Sequence, residues 1–371
     1  MKKKIWHLII LNTCILSLFT NAQDPVFSQI LINKSYLNPA YAGYSGDLTF
    51  DMQSRIQWFR VPSYFLSNAF AINGGCNANR LGFSLQGLSD LRGEGFLQNH
   101  RITGAVSVNL PGYTSRKLKN KFLRDRKTIV STGLAIGVGQ RFLNWDRLLF
   151  TDQLDHYLGI VRNSSLVNPQ NVVSNVIVDL SAGSRMKMEI SDKGSNISAG
   201  FAMFHINRPV ETFFYSENRL PIRYTGHVFL HLQTEKYVNN AQFLTIGWVG
   251  NYQQEMQTNI VLLMRDFNSG FMLGGGFRSE RIYLLGKTID SIVLQFNLRQ
   301  GDVIINYSLD FTVSSLGVHR TFGTHELGIS YLMSGYNMCG MFYKRNKRAK
   351  TDCFFLYDDL MKKSNFILIQ P

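Results

Sequence analysis

Residues 291–299, SIVLQFNLR, decide the fold, because polar and apolar side chains alternate along them. One face of the extended chain carries Ile292, Leu294, Phe296 and Leu298, and the other carries Ser291, Val293, Gln295, Asn297 and Arg299. A period of two is that of a β-strand with one apolar and one polar face. Such strands occur in antiparallel sheets with one buried face. They also occur in outer-membrane barrels, where the apolar face meets lipid and the polar face lines the lumen.

The same alternation recurs in about fourteen segments of about ten residues each. They lie near 48–59, 63–74, 81–93, 98–111, 128–144, 174–188, 197–209, 222–234, 242–254, 256–266, 270–279, 291–300, 302–311 and 325–333. A helical period is convincing in none of them, and no apolar run of 18 residues follows residue 22. The sequence therefore predicts an all-β fold, a transmembrane antiparallel β-barrel of about 14 strands in the outer membrane.

The composition excludes several other classes of protein. The chain has 371 residues, of which 45% are hydrophobic and only 17% are charged. This apolar content excludes intrinsic disorder, and 4 Cys in such a length exclude a disulfide-built miniprotein. A pair of soluble β-sandwiches explains the alternation equally well, but it usually brings more proline and more surface charge. The barrel is therefore the favoured fold.

The first 22 residues are predicted to be a cleaved secretory signal peptide. Residues 2–4 are lysines, residues 5–19 are largely apolar, and residues 20–22, TNA, offer a small-residue cleavage site. The apolar stretch is too short for a comfortable membrane span. The mature chain then begins at Gln23, and we expect it to be an integral protein of the outer membrane.

The mature chain divides into a strap at 23–47, the barrel at 48–333 and a periplasmic tail at 334–371. If the first strand ascends from the periplasm, the loops that face outward lie at 145–173, 210–221, 280–290 and 312–324. These loops are longer than most of the inward turns, as in outer-membrane proteins. The tail breaks the strand pattern and contains Cys339 and Cys353, which could pair in an oxidising periplasm.

One inward connection, at 112–127, is long and strongly basic. Its basic residues are Arg116, Lys117, Lys119, Lys121, Arg124, Arg126 and Lys127, against the single acid Asp125. Three interpretations stay open: a solvated periplasmic loop, a contact for an acidic periplasmic partner, and a contact for lipid phosphate. Nucleic acid is not an expected partner, because an exported barrel meets none.

No catalytic, cofactor or metal site is predicted, so an enzyme is not expected. His325 and Glu326 begin an H-E pair, but the histidine that completes a zinc-protease helix motif is missing, and no G-x-S-x-G elbow is present. His227 and His231 share one strand face, which favours packing in the lumen over metal ligation. We assign the glycines of residues 133–139 to a lipid-facing or crowded lumen position rather than to a nucleotide loop.

Two motifs are more specific than the composition. Residues 23–43, QDPVFSQILINKSYLNPAYAG, resemble the start of the PorP/SprF family of type IX secretion system membrane proteins. The matching positions there are Asp24, Pro25, Phe27, Ser28, Gln29, Asn38, Pro39, Ala40, Tyr41, Ala42 and Gly43, followed in the first strand by Arg55, Gln57 and Trp58. Residues 305–332 resemble the closing hairpin of that family, with matches at Tyr307, Ser308, Asp310, Ser314, Leu316, Gly323, His325 and Glu326.

This resemblance implies a function as well as a fold. Members of the family are outer-membrane barrels needed for export or surface attachment of particular large adhesins that carry a type IX C-terminal signal. On the periplasmic side they are linked to peptidoglycan-associated machinery. The alternative is a transport barrel, either a porin or a hydrophobic-solute channel, and an outer-membrane hydrolase ranks third. The lumen discriminates between the first two, because a transporter needs an open path whereas an anchor tolerates a plug.

The matching residues also have a physical interpretation. Asn38 before a proline is expected to be extended and Gly43 to permit a turn, so this part of the strap should be packed. Its tyrosines Tyr36, Tyr41 and Tyr44 could plug the lumen mouth or lie at the membrane interface, and the plainer alternative is a lead-in without a partner. We expect Asp310, His325 and Glu326 to form a structural hydrogen-bonded cluster in the lumen.

Overall fold

The alternating segments form the strands of a closed antiparallel β-barrel in a computed structural model of the chain. The structure describes residues 24–61, 64–76, 80–112, 128–166, 172–190, 195–213, 216–234, 243–267, 270–282, 286–314 and 317–333. The strands of this part of the chain are β1 (Leu48–Gln57), β2 (Phe65–Cys76), β3 (Leu81–Arg92), β4 (Leu97–Gly112), β5 (Thr128–Phe142), β6 (Leu154–Asp155), β7 (Gly159–Ile160), β8 (Ile177–Glu189), β9 (Asn196–Phe204), β10 (Val210–Phe213), β11 (Ser216–Arg219), β12 (Arg223–Gln233), β13 (Phe243–Gln253), β14 (Met256–Phe267), β15 (Phe271–Ile282), β16 (Gly286–Gln300), β17 (Val303–Thr312) and β18 (Thr324–Met333).

The long strands pair in sequence order, and β1 closes the barrel by pairing with β18. Among the described residues, fourteen strands form the wall, while β6–β7 and β10–β11 are separate two-stranded hairpins. The prediction of an all-β barrel of about 14 strands is confirmed. The short helices are Lys34–Leu37, Val318–Thr321 and the 3-10 turns Pro39–Tyr41, Trp145–Arg147 and Thr151–Gln153. Within the described ranges, no helix has both the length and the apolarity needed to cross a membrane.

The two faces of the wall differ as the alternation predicts. On β16, Leu298 is 51% exposed on the outside, whereas Gln295 and Val293 are fully buried on the inside. On β5, Leu134 is 70% exposed on the outside and Ser131 is fully buried. An apolar outer band and a largely polar interior are what a lipid-embedded barrel requires.

The connections lie at the two ends of the barrel, which we call the loop end and the tail end. The loop end has the connections 58–64, 93–96, 143–176, 205–222, 254–255, 283–285 and 313–323. The tail end has the connections 77–80, 113–127, 190–195, 234–242, 268–270 and 301–302, together with the start of β1 and the exit at 334. The basic connection and the tail therefore join the barrel at the same end.

The prediction of a loop at 280–290 is wrong. There β15 and β16 continue to pair as far as Ile282 and Gly286, so only residues 283–285 connect them. Charged residues such as Arg281 and Lys287 obscured the alternation. The backbone ladder nevertheless extends beyond the apolar band, where outward side chains need not be apolar. The predicted loops at 145–173 and 210–221 also contain the hairpins β6–β7 and β10–β11.

Among the cysteines, Cys76 at the tail end of β2 is buried and disulfide-bonded. The pairing expected between Cys339 and Cys353, the basic residues of 113–127 and the tail lie outside the described residues.

We predict that the loop end faces the cell exterior. Ser164 and Asn218 are exposed at the loop end, so Ser164→Cys and Asn218→Cys should react with a membrane-impermeant maleimide on whole cells. Ser115→Cys, in a tail-end connection, should react only after the outer membrane is permeabilised. The parent chain gives the background from native cysteines, and labelling of Ser115→Cys on intact cells would reverse the orientation.

Candidate functional site

Residues 24–47, which we call the strap, run through the lumen from the loop end to the tail end. At the loop end, the backbone N–H of Asp24 donates to Gln253 Oε1 at 3.1 Å. Farther along, Asn38 Nδ2 donates to the carbonyl oxygen of Ser184 on β8 at 2.9 Å. At the tail end the strap continues directly into β1. The segment that the sequence predicts as a lead-in therefore occupies the inside of the barrel.

The Asn-Pro-Ala-Tyr-Ala-Gly motif gives the strap its bends. Asn38 is extended, with φ −159°, as expected before Pro39. Its Oδ1 accepts from the backbone N–H of Ala40 at 2.8 Å and caps the 3-10 turn. Gly43 has φ +59°, a left-handed conformation that favours glycine.

Glycines on the inner wall allow the strap to approach closely. A Cβ atom on Gly82 of β3 would overlap the carbonyl oxygen of Ala42, and one on Gly133 of β5 would lie 2.6 Å from the backbone nitrogen of Ala40. On Gly183 of β8 a Cβ atom would instead overlap the side-chain oxygen of Asn38. At Gly82 and Gly133 the glycine reflects close approach of two backbones in a crowded lumen.

The other side of the strap is apolar. Ile30, Tyr41 and Tyr44 belong to one buried cluster, whose wall members are Phe229, Val249, Ile260, Leu262, Met264, Val293 and Leu332. Tyr41 is 2% exposed and Tyr44 is 9% exposed. The alternative that placed these tyrosines at the membrane interface is therefore wrong. Burial of each such side chain contributes on the order of 1.5–3 kcal/mol to holding the strap.

A first buried charge cluster holds the strap at Ser28 and Gln29. The carboxylate of Glu326 on β18 accepts from the backbone N–H groups of Ser28 at 2.9 Å and of Gln29 at 3.0 Å. The Ser28 hydroxyl donates to Asp310 Oδ2 at 2.6 Å. Arg55 Nη1 lies 2.9 Å from Asp310 Oδ2 and 3.0 Å from Glu326 Oε2. Arg278 Nη2 also reaches Asp310 Oδ2, at 3.0 Å.

We call Arg55, Arg278, Asp310 and Glu326 the Glu326 cluster. Its two guanidinium groups balance its two carboxylates, and all four side chains are at most 4% exposed. Removing charges from water is costly, so such a cluster persists only where each charge has a partner and hydrogen bonds. Ser28 and Gln29 supply two of those bonds, which fixes the position of the strap along the barrel.

A second cluster surrounds the first described residue of the strap. Asp24 Oδ2 lies 2.7 Å from His205 Nε2 and 3.0 Å from Arg223 Nη1, and Asp24 Oδ1 lies 3.5 Å from Arg101 Nη2. His205 Nδ1 lies 3.0 Å from Asp179 Oδ1. We call these five residues the Asp24 cluster. They come from the strap, β4, β8, the start of β12 and the residue after β9, so the cluster attaches the strap to one arc of the wall, from β4 to β12.

The charges of this cluster shift two pKa values in opposite directions. Burial by itself raises the pKa of Asp24, but the positive charges of His205, Arg101 and Arg223 outweigh it and hold that pKa well below its ordinary value. Burial lowers the pKa of His205, but Asp24 and Asp179 outweigh burial and raise that pKa above its ordinary value. The ionised pair is thus the favoured state at mildly acidic and neutral pH.

The structure brings most of the predicted site residues together around the strap. Of the residues in the two motifs, Asp24, Ser28, Gln29, Asn38, Pro39, Tyr41, Gly43, Arg55, Asp310 and Glu326 take part in the contacts described above. Phe27 packs edge to face on Tyr36 with ring centroids 5.5 Å apart, and the Tyr36 hydroxyl donates to the carbonyl oxygen of Pro25 at 2.7 Å. Trp58 lies just beyond β1 at the loop end, edge to face with Phe65.

The expectation that His325 joins a cluster in the lumen is wrong. Successive side chains on a strand point to opposite faces, so an inward Glu326 requires an outward His325. His325 Nδ1 lies 2.7 Å from the hydroxyl of Tyr307 on the outer face of the barrel. By contrast, His227 and His231 point into the lumen, where His231 Nδ1 lies 2.9 Å from Thr245 Oγ1.

Several residues that hold the strap were not predicted as site residues from the sequence. These are Gln53, Arg101, Asp179, His205, Arg223 and Arg278. A signal was available for some of them, because Arg101, Arg223 and Arg278 are cations within or next to alternating segments. A cation on the polar face of a barrel strand requires a partner in the lumen. The alternation alone does not reveal which partner.

The chain is similar to one protein family in sequence and to several solved structures. Residues 19–331 match the family "Type IX secretion system membrane protein PorP/SprF". No curated protein is significantly similar in sequence.

Similar solved structures include CdiB from Acinetobacter baumannii, with TM-score 0.42 and 8% identity over 77% of this chain and 60% of that chain. The toluene transporter TodX of Pseudomonas putida has TM-score 0.38 and 9% identity over 81% of this chain and 93% of that one. The KdgM porin has TM-score 0.32 and 7% identity over 76% of this chain and 98% of that one. The chain thus spans less than two thirds of the length of CdiB.

We predict that Gly82→Ala displaces the strap. The added methyl group would overlap the Ala42 carbonyl, and overpacking of this kind costs about 1–3 kcal/mol. Limited proteolysis of the folded barrel should then cut within residues 24–47 at least several-fold faster than in the parent. Gly104→Ala is the matched control, because nothing lies within 4 Å of its added Cβ. Equal cleavage of the two variants would contradict a tightly packed strap.

We also predict that attachment of the strap depends on pH. Since the pKa of Asp24 in the folded chain is below the unfolded value of about 3.9, its contribution is present above that value and is lost as pH falls through the lowered pKa. Since the pKa of His205 is raised, its contribution is complete below about pH 6.5 and is lost as pH rises through the raised pKa.

Protection of the strap from protease should therefore be greatest between about pH 4 and pH 6.5 and should decline above that window. Asp24→Asn should weaken protection and flatten this decline, whereas His100→Gln, which alters an exposed imidazole on β4, should leave it as in the parent. The same alkaline decline in Asp24→Asn as in the parent would contradict the role of the pair.

Proposed function

Because the chain belongs to the type IX secretion system membrane protein PorP/SprF family, we propose that it supports export and surface attachment of specific large adhesins at the outer membrane. Its cargo would carry type IX C-terminal signals. The fold and the family together support placement in the outer membrane as a secretion-system component. The filled lumen is the observation that supports the adhesin role.

The strap favours an anchoring role over solute transport. It contacts glycines on β3, β5 and β8, and it also contacts the apolar cluster, whose wall members lie on β12, β13, β14, β16 and β18. Two buried charge clusters fix it at separate points. A transporter needs a continuous path for its solute, whereas an anchor needs a stable wall and accessible ends.

The loop end supports recognition of a protein partner. Tyr157 is 91% exposed and Leu158 is 79% exposed at the turn of the β6–β7 hairpin, and Leu166 is 74% exposed nearby. The loop is folded without a partner, since Asp152 accepts from the backbone N–H of Leu166 at 2.6 Å and Asp155 accepts from that of Tyr157 at 2.8 Å. Apolar side chains exposed on an ordered loop are typical of protein contact sites.

The tail end supports a different partner. The basic connection 113–127, with seven basic residues and one acid, and the tail, which includes KRNKRAK, both join the barrel there. The described connections at the loop end carry acids and bases in near-equal number. Such a charge asymmetry favours contact with an acidic partner. We propose that this partner is the periplasmic, peptidoglycan-associated part of the secretion system.

The test is a surface proteome of a deletion strain beside its parent. We expect general secretion to continue while one or a few large adhesins disappear from the cell surface. Complementation with the wild-type chain should restore them, and complementation with the double variant Tyr157→Ser, Leu158→Ser should restore less than half. Ser164→Ala in the same loop is the control.

All complementing proteins must show the same gel shift between boiled and unboiled samples, which reports a closed barrel. An unchanged set of surface adhesins in the deletion strain, together with impaired uptake of a solute, would replace this proposal with the transport barrel.

A further inference from the structure

An aromatic patch surrounds His325 on the outer face of the barrel, at the loop end. Phe322 stacks on the imidazole with ring centroids 6.0 Å apart, and Phe59 meets it edge to face at 6.4 Å. The hydroxyl of Tyr307 lies 2.7 Å from His325 Nδ1. Phe59 is 60% exposed and Phe322 is 57% exposed. We call these four residues the rim patch, which crosses the seam where β1 pairs with β18.

Two interruptions of the strand alternation build this patch. After the inward Gln57, strict alternation would turn Trp58 outward and Phe59 inward. Instead, Trp58 has φ +59°, and it lines a cavity inside the loop end together with Gln57. Phe59 then faces outward, beside His325. Phe322 also has φ +59°, and it too faces outward, although alternation from the buried Thr324 would turn it inward.

The two irregular segments hold each other in place. The backbone N–H of Trp58 donates to the carbonyl oxygen of Gly323 at 3.1 Å, and that of Arg60 donates to the carbonyl oxygen of Thr321 at 3.2 Å. A left-handed backbone is rare for a bulky residue, and it persists where surrounding contacts fix it, often at functional sites. The rim patch is therefore an ordered element with outward rings and not a frayed strand end.

The rim patch lies at one edge of the apolar outer band, which includes the exposed Met52 and Ile329. At the other edge, Phe50 of β1 stacks on Tyr331 of β18 with ring centroids 6.4 Å apart. The chain from Phe50 to Phe59, at about 3.3 Å per residue and a tilt of about 40°, spans roughly 23 Å across the membrane. Barrels of this kind have an apolar band about 25 Å tall with aromatic girdles at both edges. The rim patch therefore lies at the level of the lipid headgroups.

Exposed basic side chains lie directly beyond the patch. They are Arg60, His319 and Arg320. Arg60 Nη1 donates to the carbonyl oxygen of His319 at 3.3 Å, which joins the two connections that carry them. Neither 58–64 nor 313–323 contains an acidic residue, and neither arginine forms an ion pair with a described residue. Exposed aromatic rings and positive charge that no acid balances thus meet at one edge of the apolar band.

We propose that the rim patch and these basic residues bind the phosphorylated headgroup of a lipopolysaccharide in the outer leaflet. Its phosphate lies against Arg60 and Arg320, because guanidinium groups match the geometry of phosphate and basic residues attract anionic headgroups. Its acyl chains continue over Phe59 and the apolar band. The proposal rests on the predicted orientation of the loop end toward the cell exterior, and it is independent of the adhesin role.

The test measures lipid binding to the chain purified from outer membranes in an uncharged detergent, by native mass spectrometry. The probes are phosphorylated lipid A and the same lipid after removal of its phosphates. We expect the parent to bind the phosphorylated form preferentially. Arg60→Gln, Arg320→Gln should bind it at least about tenfold more weakly, since each basic residue near an anionic headgroup contributes about fivefold.

Arg208→Gln, Arg219→Gln is the matched control and should bind lipid A as the parent does. It also removes two exposed arginines from the loop end. These arginines belong to the connection between β9 and β12, on the side of the barrel opposite the β1–β18 seam. All variants must show the same gel shift between boiled and unboiled samples.

Arg320→Gln alone serves if the double variant does not fold, with binding about fivefold weaker than in the parent. Equal binding of lipid A by the parent and the rim variants would overturn the proposal. So would equal binding of phosphatidylglycerol, because the patch would then be a general contact for anionic phospholipid. Displacement of lipid A by millimolar inorganic phosphate would overturn it as well, since the occupant would then be the free anion.

Discussion

The structure depends on one constraint, which is that charges inside the barrel must find partners inside the barrel. The wall places Arg55, Arg278, Asp310 and Glu326 in an interior from which water is largely excluded. Unpaired, each charge would be costly to bury. The strap adds hydrogen bonds to this cluster, since Glu326 accepts from two successive backbone N–H groups of the strap. The strap is thus a part of the barrel and not an appendage to it.

Three kinds of contact hold the strap, and each contributes differently. The apolar cluster on β12, β13, β14, β16 and β18 supplies most of the favourable burial. Inner-wall glycines such as Gly82 and Gly133 set how closely the strap approaches. The two charge clusters contribute mainly position, because buried ion pairs often add little net stability but strongly disfavour any arrangement that separates them. Asp24 and Glu326 therefore define the register of the strap along the lumen.

With the lumen occupied, the barrel offers a rigid wall to the lipid and two chemically different ends. The loop end presents ordered apolar side chains, including Tyr157, and the tail end collects basic segments. The chain belongs to the PorP/SprF family of type IX secretion system membrane proteins, and the barrel fold agrees with that membership.

The sequence by itself predicted about 14 strands and their inward and outward faces, because alternation with a period of two is a local property of each segment. The two motifs, and not the alternation, indicated the family. It also marked Asp310 and Glu326 as candidate cluster residues. The same alternation contradicts the predicted inward face of His325, because an inward Glu326 places its neighbour on the outside.

Only the tertiary structure decided that the strap lies inside the lumen, and which charges meet there. Asp24 is far in sequence from Asp179 and His205, which belong to the β8–β9 hairpin, and it meets them because the strap lies inside the lumen. The β-bulge at Asp290 arises from the pairing between β15 and β16, whose register shifts between Arg278 and Ser279. Contacts between distant segments depend on the register of every strand between them, which no local pattern contains.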